Sequence, residues 1–252
     1  MSIILLLLRL PILVLHILVG LFTIIFFPKE PKNFKKLHYK IMMLWMSFLS
    51  SILGIKIDIR GAPDQTANLF VSNHVTYLDI IIINKLLPVN FIAKEEISSW
   101  PIIGRLASKT GTLFIRRGNN LESTKMIYEM EERFKLNNKI VFFPEGKIGN
   151  GKRVKKFHYK LFKSIENKNL DIQPIAIRYP KEYPKNNNYS ELVSTKSEKG
   201  EMISLYLKFL MKRRSHVILV FLDKVSTRDC ETVTMTNVLA DKINLALDDL
   251  NS

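Results

Sequence analysis

Apolar residues fill almost every position from Ile3 to Phe27, and Arg9 is the only formal charge among them. From Leu10 to Phe27 the chain runs 18 residues without a full charge. As a helix that stretch is roughly 27 Å long, close to the hydrocarbon thickness of a bilayer. Lys29, Lys32, Lys35, Lys36 and Lys40 follow, and the positive-inside rule keeps this flank and everything after it on the cytoplasmic side. A cleaved signal peptide would carry its charge before the apolar run and a small-residue cleavage site after it. Here the exit reads Phe26-Phe27-Pro28-Lys29, which predicts an uncleaved anchor. A second apolar stretch, 41–55, has 15 residues and is short for a span. It reads equally as a helix in the headgroup region, with Trp45 at the interface, or as a core helix of the domain that follows. Residues 1–54 are therefore expected to form a membrane anchor or helical hairpin, and 55–252 a folded domain.

From Ile55 onward, strand and helix patterns alternate. Ile55 to Ile59 alternates with period two, as in a half-buried strand. Short apolar runs at 68–72, 91–93, 112–115, 140–143, 172–178 and 216–222 also read as strands. Helical patterns cover 77–87, stopped by Pro88, and 101–109, opened by Pro101. Others cover 121–136, 159–167, 202–212 and 231–250. Residues 180–200 are polar and read as a loop. The alternation predicts an α/β fold, a mixed, mostly parallel sheet flanked by helices, behind an N-terminal membrane-associated helix pair.

Composition narrows the class. With 47% hydrophobic residues and only 10 Gly and 10 Pro in 252, the chain is neither disordered nor collagen-like. One cysteine, Cys230, excludes an intrachain disulfide framework and a Cys-rich zinc module. Thirty-eight Lys and Arg against 23 Asp and Glu leave a net charge of +15, which favours anionic partners. The anchor makes lipid the better candidate. No motif interleaves aromatic and basic residues, so a nucleic-acid partner is not expected. Residues 139–163 hold eight Lys or Arg and one acid. They read as a solvated basic face, or as a patch for anionic headgroups, an acidic carrier protein or coenzyme A phosphates.

Of the five histidines, His74 stands apart. It follows the strand Asn68 to Ser72 directly, and Asp79 lies five positions on. On one continuous helix these two would sit about 140° apart and would not meet. With His74 in the turn before a helix and Asp79 in its first turns, the carboxylate can hold one ring N–H while the other nitrogen takes a proton, which makes a general base. There is no Gly-x-Ser-x-Gly elbow, no His-Glu-x-x-His metal pair and no phosphate loop ending in Gly-Lys-Ser/Thr. A base without a protein nucleophile points to direct activation of a substrate hydroxyl, with no metal and no cofactor required.

Asn73-His74-(four residues)-Asp79 resembles the first motif of the glycerolipid acyltransferases, the family that includes 1-acylglycerol-3-phosphate O-acyltransferases. Gly111-Thr112-Leu113-Phe114-Ile115-Arg116-Arg117 is similar to the second motif, Phe143-Pro144-Glu145-Gly146 to the third, and Ile172-Gln173-Pro174-Ile175-Ala176-Ile177 to the fourth. Trp100-Pro101-Ile102-Ile103-Gly104 also resembles the family. All stand in family order over roughly residues 55–225.

The resemblance implies a membrane-bound enzyme that moves a fatty acyl group from an acyl-carrier-protein or acyl-CoA thioester to the free hydroxyl of lysophosphatidic acid, giving phosphatidic acid. It implies His74 as base, Asp79 as its orienting partner, and Arg117, Glu145, Gly146 and Lys147 at the acceptor. Asn73, Gly111, Phe114, Pro144 and Pro174 support them. Where the family's third motif continues Pro-Glu-Gly-Thr-Arg-Ser, this chain has Pro144-Glu145-Gly146-Lys147-Ile148-Gly149. Gly149 to Phe157 resembles a bacterial branch that includes lyso-ornithine lipid acyltransferases, so lyso-ornithine lipid is the alternative acceptor. A catalytically silent, membrane-anchored lipid-binding protein is the alternative of another class. Retention of both His74 and Asp79 argues against it.

Overall fold

Parallel strands covered on both faces read as short unbroken apolar runs, which is why most of them were visible in the sequence. A computed structural model of the chain describes residues 2–116, 120–166, 170–182, 186–189, 199–228 and 231–250. Two helices come first, α1 (Ile3–Thr23) and α2 (Lys36–Ile52). Then follow β1 (Ile55–Arg60), β2 (Leu69–Ser72), α3 (Leu78–Leu86), β3 (Val89–Lys94), α4 (Ile103–Lys109), β4 (Leu113–Ile115), α5 (Asn120–Lys135) and β5 (Lys139–Phe142). The remainder is β6 (Asp171–Arg178), β7 (Pro180–Glu182), β8 (Asn186–Tyr189), α6 (Lys199–Met211), β9 (Ser215–Phe221), β10 (Val225–Ser226) and α7 (Thr232–Asp249).

The main sheet runs β1-β9-β6-β2-β5-β3-β4, with β10 beside β6. Every pairing is parallel except those of β6 with β9 and with β10. This is the mixed, mostly parallel sheet that the pattern predicts. After β2 the chain moves to β3 and β4, returns to fill the gap with β5, and crosses over to lay β6 on the other side of β2. The carboxyl end of β2 therefore sits between those of β5 and β6, where open α/β sheets place their sites.

Alternate strand residues feed two cores, as a period of two requires. Phe70, Val141, Ile175 and Ile177 pack with Leu13 of α1, Leu49 of α2, Ile82 of α3 and Phe209 of α6. Leu69, Ile140, Phe142 and Ile172 pack with Met130 of α5 and with Leu239 and Ile243 of α7. Most of the 41–55 stretch falls in α2, which lies between α1 and α3 and buries Leu49 while Leu44 and Phe48 stay exposed.

Helix α1, with its short 3-10 extension to Phe26, is long and apolar enough to cross a membrane by length and composition. It runs antiparallel along α2. The His16 ring stacks on Trp45 at 4.4 Å between centroids, and Gly20 leaves the room that the Trp45 ring fills. The start of α1 is held to the end of α6, and its far end packs on the segment that opens α2. Ser2 N donates to Met211 O at 2.8 Å, and the Arg9 guanidinium donates to the carbonyls of Leu210, Lys212 and Arg213. At the far end Phe27 packs on Phe34 and His38. The one charge of the apolar run is thus spent on the carbonyl-rich end of α6, where a cation is favoured.

Three expectations need correction. The 180–200 segment is not all loop: β7 and β8 pair antiparallel, hidden by a Pro and an Asn run of low strand propensity. Residues 159–167 give a short 3-10 helix, Tyr159–Ser164, rather than an α-helix. Pro101 does not open α4. Ile103 N donates to Pro101 O at 2.7 Å, closing a γ-turn around Ile102 at φ 66° and ψ −64°, and the helix starts after it. That strained turn brings Gly104 against the Ser98 carbonyl, where a Cβ would collide.

Candidate active site

Two turns, one after β2 and one after β5, build the site. The side-chain amide of Asn73 makes one more rung of the β2–β6 ladder: Nδ2 donates to Ile177 O and Oδ1 accepts from Ile177 N, both at 2.8 Å. This fixes where β2 ends and sends the chain into the turn before α3. His74 is in that turn and Asp79 in the first turn of α3, the arrangement that the spacing required. His74 Nδ1 is 2.8 Å from Asp79 Oδ2. The same oxygen accepts from Val75 N at 2.7 Å and Thr76 N at 3.0 Å, while Tyr179 donates its hydroxyl to Oδ1 at 2.6 Å. The carboxylate at the start of α3 is fully buried, and the imidazole keeps 14% of its surface. No protein group among the described residues bonds its Nε2.

The third motif closes the other side. The Phe143 ring stacks on His74 at 4.0 Å and 13°. Glu145 is buried and accepts from His74 N and Lys155 N, each at 3.2 Å. Burial pushes its carboxyl above the usual range, partly offset by those two bonds. Gly149 N donates to His74 O at 2.6 Å, and a Cβ at Gly149 would sit 3.2 Å from Glu145 Oε2. Glu145 thus holds the His74 backbone in place, with its two oxygens spent on main-chain donors. Gly146, at φ 69°, turns the chain after it, and Lys147 is exposed beyond. Pro144 is buried and its carbonyl accepts from His158 N at 2.9 Å. A cavity of about 310 Å³ opens beside this turn, its walls including Phe143, Pro144, Gly146, Lys94, Ile115 and His158.

The second motif, and Pro174 of the fourth, act from farther away. Gly111 has φ 88° and lies at the entry to β4, the opposite end from His74. A Cβ there would come within 2.6 Å of Asn90 Nδ2, which donates to Thr110 O while Asn90 Oδ1 accepts from Tyr39 of α2. Gly111 therefore joins the N-terminal helices to the sheet. Phe114 pairs with Ala93 within β4. Pro174 faces Val71 in the β2–β6 register, and its carbonyl accepts from Leu222 N. It falls between the β9 and β10 ladders, where a missing N–H costs least. Arg117 lies outside the described residues. Its neighbour Arg116 is exposed and paired with Glu95, Nε to Oε2 at 2.6 Å.

Three residues escaped the sequence reading. Phe143 stood inside a motif already singled out, and its role as a ring platform could have been asked of it there. His158, one of the histidines passed over beside His74, proves to be a cavity wall. Tyr179 stands two residues beyond the fourth motif, but nothing local marks it as Asp79's neighbour.

An imidazole aligned by a buried carboxylate at the carboxyl edge of an α/β sheet, its second nitrogen unbonded among the described residues, is an arrangement that can take up a proton. Residues 56–178 match the family model described as Acyltransferase, and that stretch of the chain is a domain of this kind. It is 34% identical over 143 residues to a lyso-ornithine lipid O-acyltransferase of Pseudomonas aeruginosa, covering 57% of this chain and 55% of that protein. It is 31% identical over 128 residues to a 1-acyl-sn-glycerol-3-phosphate acyltransferase of Neisseria gonorrhoeae, 50% of each. The chain thus spans about half the length of the curated relatives it matches. The crystal structure of PlsC, a 1-acyl-sn-glycerophosphate acyltransferase of Thermotoga maritima, shares the fold with a TM-score of 0.71, 17% identity, and coverage of 100% of this chain and 96% of that one.

Proposed function

We propose that the protein is a membrane-attached acyltransferase that esterifies the free hydroxyl of a lysolipid with a fatty acyl group from a thioester. The observation that carries this reading is the 2.8 Å contact from His74 Nδ1 to a buried Asp79, leaving Nε2 open to a ligand. Nε2 takes the hydroxyl proton as the acceptor oxygen attacks the thioester carbonyl. The tetrahedral intermediate collapses, the carbon–sulfur bond breaks, and the thiolate takes that proton back from the imidazolium. Asp79 holds the tautomer and stabilises the cation in between. The cavity beside Phe143 and Gly146 supports a place for acceptor or donor next to the ring.

Lysophosphatidic acid is the first reading of the acceptor, giving phosphatidic acid, with Arg117 and Lys147 assigned to its phosphate. Lyso-ornithine lipid is the second. It is favoured by Lys147 standing where the motif usually has Thr followed by Arg, and by two relatives, at 34% and 37% identity, that bear this activity in their names.

The two faces of the sheet suggest which partner meets which surface. The apolar hairpin lies on the face with α3 and α6, whereas the basic stretch around Val154, Phe157 and Phe162 packs on the face with α5 and α7. Because α1 is tied to α6 at its start and lies along α2, this reading lays it along one leaflet on the cytoplasmic side. The basic face is then turned from the bilayer, where its charge suits an acidic acyl-carrier protein or the phosphates of coenzyme A.

The test is acyl transfer in membranes containing the full chain. It offers lysophosphatidic acid and lyso-ornithine lipid, each with carrier-protein and coenzyme A thioesters. His74→Ala should lose at least about 10²-fold in turnover. Undiminished turnover by that variant rejects the mechanism, and the acceptor that is acylated decides between the two readings.

A further inference from the structure

We propose that Tyr179 is a positioning residue of the base, setting both the orientation of Asp79 and the pH range in which His74 works. This rests on the acyltransferase reading of the site. Tyr179 is the first residue after β6, with 1% of its surface exposed, and its hydroxyl sits 2.6 Å from Asp79 Oδ1. The three donors to Oδ2 all come from residues 74–76, the turn that carries the base. Tyr179 is the donor from a different strand, and it reaches the other oxygen. It therefore fixes the rotation of the carboxyl about its bond to the chain, and with it the direction in which Oδ2 faces the imidazole.

The phenol remains a donor at every working pH. Burial first, then the Asp79 charge, push its ionisation well above the ordinary tyrosine range. A permanent donor draws charge from the carboxylate. Without it, more negative charge would face the His74 ring N–H, and the carboxylate would be held less firmly in line with the ring. Among the described residues, the other titratable groups near the pair include Glu145, from the turn after β5, Lys155, whose charge faces Glu145, Tyr206 of α6 beside Tyr179, Tyr77 in the His74 turn and the buried Arg178 that ends β6. Glu145 bonds the main chain of His74 and Lys155. The β5–β6 crossover puts β6 on one side of β2 and β5 on the other. The base is thus framed from both flanks: Glu145 holds its backbone, and Tyr179 holds the acid behind its ring.

Tyr179→Phe removes one oxygen and keeps the ring that fills the core. In full-length protein in membranes it should lower kcat about tenfold with little change in acceptor KM, since a bond to a charged group is lost away from the substrate. The acid limb of the kcat/KM pH profile should move upward by about half a unit. Replacing Tyr179 by 3-fluorotyrosine, a more acidic phenol and a stronger donor, should move that limb downward. A merely structural residue would not shift the limb in opposite directions. Thermal melting of both variants shows that the fold is kept. Wild-type kcat and an unmoved pH profile in Tyr179→Phe, with His74→Ala inactive in the same assay, overturn the role of Tyr179 alone. Full activity in His74→Ala, or no transfer by the wild type to any acceptor, sinks the reading of the site and this role with it.

Discussion

The turn carrying His74 and the outer face of α1 are opposites. In the turn, the backbone groups of His74, Val75 and Thr76 are tied to Asp79, Glu145 or Gly149, and the acid itself takes four donors. On α1, Leu8, Leu15 and Phe22, seven residues apart, leave about 60% or more of their surface uncovered. One region is held by directional bonds in a low-dielectric interior, where each partner fixes the next. The other presents apolar area and nothing directional, which suits a fluid partner such as lipid. Chemistry and attachment are therefore separable in this fold, and variants in one region should spare the other.

The largest effect expected on the site side is that of Asp79→Asn. The amide cannot stabilise the imidazolium and favours the wrong tautomer, so kcat in detergent should fall on the order of 10²-fold or more. Sedimentation with vesicles should be unchanged. Loss of both together would mean that the turn supports the whole fold. Next comes the joint between the regions. Gly111→Ala places a Cβ against Asn90 in a left-handed conformation, and about 2 kcal/mol of stability should be lost. Chemical denaturation measures it, and a neutral result would mean that the Asn90–Tyr39 tie is not tight. The smallest effect is that of Leu15→Ser on α1. It should weaken vesicle binding about tenfold, in line with one leucine side chain left out of an apolar phase. Its kcat in detergent should not move. Unaltered vesicle binding would place another face of the hairpin against the membrane.

Much of this was legible beforehand because it is local. The apolar run, the alternation of strand and helix, and the five-residue offset from His74 to Asp79 each depend on a few consecutive positions. Local signals failed where a distant partner overrode them. Arg9 stood out only as the one charge of an apolar run, and it clamps carbonyls more than 200 residues away. Pro101 read as a helix start, and the packing of Gly104 on Ser98 moved that start two residues on. Gly111 belonged to a motif grouped with the site, and it serves the joint with α2 at the other end of its strand.

Burial period and motif order live in the one-dimensional chain, and they were enough for the layered α/β class, the long apolar helix at the start and the pairing of His74 with Asp79. What completes the base depended on strand order. Glu145 reaches His74 from 71 positions away and Tyr179 reaches Asp79 from 100, because β2 lies between β5 and β6. No local preference encodes that neighbourhood. It arises when the crossovers pack both sheet faces at once, and only then do those two side chains find the turn that they hold.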